Sequence, residues 1–358
     1  MTADWLPVDH AHLRDTLDRT ERHLDPANPE AGGHVAVLGY GEISAALTID
    51  ALPGLVCKRM AGYRDDAAVN DYVNLIDDYL TGLVESGIRV APTLAVPVHR
   101  DARPPVLYLV QPQADAATLG HALLRTADEQ TVAAALRRVL ACAAGLAARN
   151  AARVDGVELA VDGQLSNWAL DAAALAPEGV PPSRDGTPRA GTPHPTTGTP
   201  HPPAPRPEPP PPAPRLPMLL DVGTPFIRRD GRHMLDVEVI LAPAPPGVRA
   251  LLRRFVADSY QDDYFVPRTW ALDLLGNFHK EGATHRIPLG TDIVNEWLAT
   301  TDLPGPVHAI GIDEVDRYYR QDARLLELFL RTRRADRLIR TRVLRQRYDF
   351  LLPGPVAR

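Results

Sequence analysis

The chain has 358 residues, 45% of them hydrophobic and 23% charged, enough for a sizeable core in one or two domains. A formal net charge of −6 argues against nucleic acid as the main partner, because polyanion binding needs positive charge. Two cysteines, Cys57 and Cys142, argue against a disulfide framework; Met1 to Leu24 lacks a signal-peptide pattern and no uncharged apolar run reaches about 18 residues, so a cytoplasmic protein without a membrane partner is expected.

In chain order, Asp9 to Leu24 reads as an amphipathic helix with Leu13, Leu17 and Leu24 on one stripe. His34 to Leu38, Ile43 to Ile49 and Leu55 to Met60 read as three strands, the first two joined through Gly39-Tyr40-Gly41. Asp66 to Ser86 has helical periodicity and a stop at Gly87, and Val90 to Val98 and Pro105 to Val110 read as strands. Helices follow at Leu119 to Leu124 and Glu129 to Arg149, then short strands at Val157 to Val161, Asn167 to Leu170 and Met218 to Val222. The remainder is expected to be helical: Val248 to Tyr260, Pro267 to Lys280, Ile293 to Thr300 and a long segment from about Asp313 to Arg347. On that last helix a run of arginines from Arg331 to Arg347 forms either a solvated face or a docking face for an acidic or phosphate-rich partner. Leu325, Leu328, Phe329, Ile339 and Val343 are expected to pack its other side.

Between Pro177 and Pro217 lie 17 of the chain's 36 prolines, with near-repeats such as Gly191-Thr192-Pro193-His194-Pro195 and Gly198-Thr199-Pro200-His201-Pro202. Such composition has too little apolar surface to offset the entropy of ordering, so 174–216 reads as a disordered or polyproline-like insert. It is a plain surface insertion or a tract for a protein partner.

Four motifs carry chemistry. Gly39-Tyr40-Gly41-Glu42-Ile43-Ser44, between two strands, has the spacing of a loop whose backbone N–H groups can approach phosphate, or of a plain hairpin turn. Lys58 closes the apolar strand Leu55-Val56-Cys57, one strand after the Gly turn; taken alone it is a surface lysine at a strand end. Asp162 and Asn167 stand five positions apart on a turn after a long helix; the Asp suits a hydroxyl proton and the Asn a metal ion, although an Asp-Gly hairpin turn would also explain them. Asp221 ends an apolar strand two residues before Gly223, a carboxylate on a turn with the hard oxygens a divalent ion takes, or a plain β-turn Asp.

In this order the four motifs resemble the protein-kinase-like superfamily, nearer to the aminoglycoside and choline-type phosphotransferases than to protein kinases. They are also similar to a bacterial family of uncharacterised kinase-like proteins whose second half carries the pattern seen here as Asp221-Val-Gly-Thr-Pro-Phe226 and Asp273-Leu-Leu-Gly-Asn-Phe-His-Lys-Glu281. The resemblance implies an α+β, two-lobed fold: an N-terminal helix over 1–30, a small antiparallel-sheet lobe over 31–112 and a larger helical lobe over 113–358. It implies ATP and Mg²⁺ as cofactors and a small-molecule acceptor. Gly39, Gly41, Ser44 and Lys58 would handle the phosphates, with Asp77 as the helix acid that holds the lysine. Gln111 and Gln113 would lie in a hinge receiving the base, Asp162 would be catalytic, and Asn167 and Asp221 would bind the metal. Two departures stand out: Ala160-Val161 replaces the family's histidine before the catalytic Asp, and the helix offers no Glu before Glu85. They favour a second reading, a pseudokinase that binds nucleotide or serves as a scaffold. No Ala-Pro-Glu segment follows Asp221, which disfavours a protein kinase. Asp273, Asn277, Lys280 and Glu281 fall near one helix face, as a buried polar network or as acceptor-recognising groups.

Overall fold

The structure, a computed structural model, describes residues 5–41, 43–171, 175, 216–245, 247–250, 253, 262–305 and 307–353. The Pro-rich insert, with His194 and His201, lies outside the described residues except for Leu175 and Leu216, as does most of the expected helix over 248–260.

Five strands form an antiparallel sheet in the order β1-β2-β3-β6-β5: β1 (Val35–Tyr40), β2 (Ser44–Ile49), β3 (Leu55–Met60), β5 (Leu94–Arg100) and β6 (Arg103–Pro112). The turns are local. Gly41 N–H donates to the Ser44 carbonyl, and Gly54 adopts φ +76° between β2 and β3, where an L side chain would be strained. Period-two alternation sends Ala45, Leu47, Cys57, Val96, Val98, Val106, Tyr108 and Val110 to one face. Helix α1 (His10–His23), capped by the Asp9 carboxylate on His12 N–H, covers that face with Leu13 and Leu17. The opposite face carries Met60, Leu107 and Leu109 into a second core with α2 (Asp66–Glu85). This helix is capped by Asp65 and stops at Ser86 before Gly87, whose φ is +82°.

The expected single strand Val90 to Val98 is instead two. β4 (Arg89–Val90) leaves the main sheet and pairs in parallel with β9 (Met218–Leu219), which pairs antiparallel with β8 (Trp168–Ala169). The break falls where Ala91 N–H donates to the Leu219 carbonyl and Pro92 has no N–H to continue a ladder. The small sheet β4-β9-β8 thereby joins the main sheet's edge to the turns that carry Asn167 and Asp221.

The rest is mainly helical: α3 (Gly120–Thr126), α4 (Glu129–Ala152), α5 (Val237–Leu241), α6 (Pro267–Lys280), α7 (Ile287–Thr300) and α8 (Ile312–Leu338). Among the described residues α4 alone is long and apolar enough to cross a membrane, but its Val132, Leu136, Val139 and Leu140 lie in the protein core. A three-stranded sheet of β7 (Val157–Leu159), β10 (Ile227–Arg229) and β11 (Arg232–His233) was not anticipated in full. The hairpin turns at Asp230 and Gly231, both with positive φ. At three and two residues, β10 and β11 are too short to show a periodicity.

The helix expected to reach Arg347 ends at Leu338 and continues only as a π-turn over Ile339–Val343. The chain then reverses at Arg345 (φ +53°) and returns to the main sheet. There Asp349 binds Arg100, and its carbonyl accepts from Arg59. Leu325, Leu328, Ile339 and Val343 do not pack as expected: all four are exposed, and Phe329 is half-buried. The helix is anchored instead through Val315, Leu330, Arg333 and Asp336.

Candidate functional site

Strand β3 alternates its side chains, so Lys58 points to the face opposite Arg59. Pairing register places Gly39, Ala46, Lys58 and Leu109 in one row across four strands. A Cβ added to Gly39 would meet nothing within 4 Å, so the row is open beyond Ala46. The Lys58 ammonium lies 2.5 Å from Asp221 Oδ1, joining residues 163 apart in the chain.

The Asp221 turn is tethered from three sides. Leu220 N–H donates to the Asn167 carbonyl, Gln111 Nε2 donates to the Leu220 carbonyl at 2.8 Å, and the Tyr72 hydroxyl donates to the Gly223 carbonyl at 2.7 Å. Gly223 N–H closes the turn onto Asp221 Oδ1 at 2.9 Å. A Cβ at Gly223 would stand 2.9 Å from the Lys58 amine, so glycine is what lets the lysine reach this carboxylate. Desolvation pushes the Asp221 carboxyl up, but the Lys58 charge and the two hydrogen bonds outweigh it and hold the group below the ordinary carboxylate range.

Asp162 sits on the neighbouring turn. Its Oδ1 accepts from Gln164 N–H at 2.9 Å. The preceding backbone is pinned where the histidine is missing: the Tyr79 hydroxyl donates to the Ala160 carbonyl and the Trp270 indole N–H to the Val161 carbonyl, both at 2.7 Å. Gly163 lies flat against that indole, and a Cβ there would overlap the ring. Burial raises the Asp162 carboxyl, and the charges of Asp273 and then Asp221 raise it further; Gln164 N–H and Lys280 offset only part. Asp273, on α6, accepts from Gln164 Nε2 at 3.0 Å and from the Tyr318 hydroxyl at 3.2 Å, while Asn277 Nδ2 donates to Gln164 Oε1 at 3.1 Å. Of the four polar residues noted on this face, Asp273 and Asn277 therefore form a polar network, and Lys280 pairs with Asp322 at 3.1 Å.

The structure thus gathers Lys58, Asp162, Asn167 and Asp221, with Asn167 brought in through β8–β9 pairing and its carbonyl on Leu220. Asp77 is not gathered. It is exposed on α2, and the lysine's acid is Asp221, because the α2 face toward the site is taken by Tyr72 and Tyr79. The Gln111 side-chain amide donates to Thr93 and to the Leu220 carbonyl, and Gln113 donates its N–H to the Gly54 carbonyl, which takes that backbone donor from the expected hinge. Gly41 and Ser44 close the β1–β2 turn on each other, and Ser44 is buried. Tyr72, Tyr79 and Trp270 are the residues sequence reading missed. Their signal is a tyrosine on the buried stripe Val69, Tyr72, Ile76, Tyr79 and a tryptophan on an apolar helix, since a buried hydroxyl or indole N–H needs a partner. Among the described residues no three His, Cys, Asp or Glu side chains gather as a metal cluster.

A family described as "Family of unknown function (DUF6206)" matches residues 20–176. The matched stretch runs from within α1 past Asn167 and stops short of Asp221. No curated protein and no solved structure matches the chain.

Proposed function

We propose that the chain is a two-lobed, kinase-like phosphotransferase that uses ATP and Mg²⁺ on a small-molecule hydroxyl or amine. The observation that carries this reading is the contact of Lys58 with Asp221 beside Asp162 and Asn167, four groups from three distant stretches of sequence. The donor chemistry fits a magnesium nucleotide. Asn167 and Asp221 offer the hard oxygen ligands Mg²⁺ takes, and mutually destabilised carboxylates favour a nearby cation. When bound, Mg²⁺ supplies neutralisation of phosphate charge. Lys58 exchanges part of its contact with Asp221 for phosphate oxygens. Asp162, with a raised carboxyl pKa, orients the acceptor and takes its proton as the bond to phosphorus forms and ADP departs. Gln164, Asp273 and Tyr318 hold the Asp162 turn in place.

The test is titration calorimetry with ATP, with and without Mg²⁺, on the parent chain and Asp221→Ala. Metal-dependent binding that the substitution removes is expected; equal binding by both would sink the assignment. A nucleotide-binding scaffold without turnover is the second reading. It is favoured by Ala160-Val161 before Asp162 and by the lack of a helix acid at Lys58. Binding with no ADP release in the presence of a library of hydroxyl and amine acceptors would select it.

A further inference from the structure

The arginine-rich end of α8 is uncovered on its apolar side. Leu325, Leu328, Ile339 and Val343 are 60%, 60%, 49% and 71% exposed, with Leu338 and Leu344 also exposed beside them. Thr332 and Ala335 fill the gaps, so the positions 325, 328, 332, 335, 339 and 343 recur at intervals of three and four, one side of a helix. The stripe runs roughly 27 Å at 1.5 Å per residue. Isolated exposed leucines need no explanation, but a continuous stripe marks an interaction surface.

Its flanks specify the partner. Between Arg324 and Arg347 there are nine arginines against two acids, Glu327 and Asp336, in a chain whose overall charge is −6; Arg333 is buried and Arg347 is engaged by the Leu24 carbonyl and Asp349, which leaves seven around the stripe. Both acids are already engaged, Glu327 by Arg331 and Asp336 by Arg340. Arg324, Arg337, Arg342 and Arg345 are paired with no carboxylate among the described residues. A second copy of the stripe would bring these arginines against their own kind, which disfavours self-association. The apolar positions are aliphatic, without the tryptophan or tyrosine that usually anchors protein hot spots. Aliphatic side chains along one side with arginines beside them match a surface that is apolar below and anionic above.

We propose that this side of α8 and its π-turn docks onto an anionic phospholipid surface, lying in the interface and not crossing it. This surface departs from the expectation of no membrane partner, which rested on the lack of a long uncharged apolar run in the sequence. The inference is independent of the phosphotransferase reading. Flotation of the full chain with phosphatidylcholine vesicles, with and without about 30% phosphatidylglycerol, tests it at low salt. Binding to the anionic vesicles only is expected. Leu328→Glu with Ile339→Glu, and separately Arg324→Glu with Arg342→Glu, should each reduce the bound fraction at least about tenfold. These side chains are exposed, so unchanged thermal melts would confirm intact folding of the variants. Failure of the parent chain to float with anionic vesicles, or undiminished flotation of both variants, overturns the proposal. So does a dimer, seen by light scattering, that the leucine and isoleucine substitutions dissolve.

Discussion

Lys58 and Arg59 are neighbours on β3, and each ends on a carboxylate, yet the two ion pairs are built for different purposes. Arg59 and Glu21 are each 1% exposed. Glu21 accepts two bonds from Arg59 at 2.8 Å, one from Arg100 at 3.0 Å and one from the Tyr108 hydroxyl at 3.0 Å, and the Asp349 carbonyl takes a further Arg59 N–H. Each strong donor and acceptor in that cluster has a partner, and together they tie α1, three strands and the returning C-terminal segment. On the other face Lys58 and Asp221 are 19% and 38% exposed, and they meet through a single bond beside Asp162, whose charge is only partly offset. A saturated cluster is architecture; an unsaturated pair that faces open space is poised for a ligand.

The largest effect should come from the saturated side. Glu21→Ala leaves Arg59 and Arg100 buried without their shared acceptor and should cost about 3–5 kcal/mol in urea unfolding. A loss below about 1 kcal/mol would erase the distinction between the two faces. Burial raises the Glu21 carboxyl, but Arg59, Arg100 and Tyr108 outweigh it and lower its pKa overall. A group with a lowered folded pKa stabilises above its unfolded value, and that contribution is lost as pH falls through the folded one. The stability gap between the parent and Glu21→Ala should therefore be widest near neutral pH and narrow as pH falls through the folded pKa, read by urea unfolding at a series of pH values.

Next comes Gly163→Ala. The added methyl group meets the Trp270 indole, which is itself fixed to the Val161 carbonyl, so the ring cannot swing away freely. A loss of about 1–3 kcal/mol is expected, with a shifted Trp emission. Asp221→Ala should cost only about 1 kcal/mol or less, as suits a partly exposed pair, while it removes the metal-dependent nucleotide binding. The combination of a small stability loss with a large binding loss is what separates this face from the Glu21 cluster.

The Lys58 side of this division was legible beforehand, and the Glu21–Arg59 side was not. Strand β3, helix α6 and the start of α2 have the expected bounds, because period-two and period-3.6 patterns there agree with their caps. Lys58 lies within β3, and Asp162, Asn167 and Asp221 lie on the turns after β7, before β8 and after β9, so regular elements fix the position of each. Asp77 was chosen by sequence distance, which carries no information about which helix face meets the lysine; the buried stripe through Tyr72 and Tyr79 does. Pro92 was visible, but that it ends pairing with one sheet and starts pairing with another depends on Leu219, over a hundred residues away. The exposure of Leu325 and Val343 was invisible for a related reason. An apolar stripe in sequence shows that a helix has a preferred side, not that a partner is present in the same chain.

The smallest predicted change has the opposite sign from the rest. Among the described residues no ammonium or guanidinium pairs with Asp162 as Lys58 pairs with Asp221, and burial with the neighbouring Asp273 and Asp221 charges raises its carboxyl pKa. A folded value above the unfolded one means the native state binds the proton more tightly than the unfolded chain. This group therefore costs nothing at low pH and destabilises progressively as pH rises from the unfolded value through the folded one. Asp162→Asn keeps the shape and an acceptor for Gln164 N–H while removing the charge. Its melting temperature should exceed that of the parent, by an amount that grows between pH 5 and pH 8 in the absence of metal. Added Mg²⁺ with nucleotide should narrow that gap by stabilising the parent chain, which retains the charge. A variant that is less stable than the parent at pH 8 would mean that Asp162 is satisfied like Glu21, and the two faces of β3 would no longer be distinguished by their electrostatics.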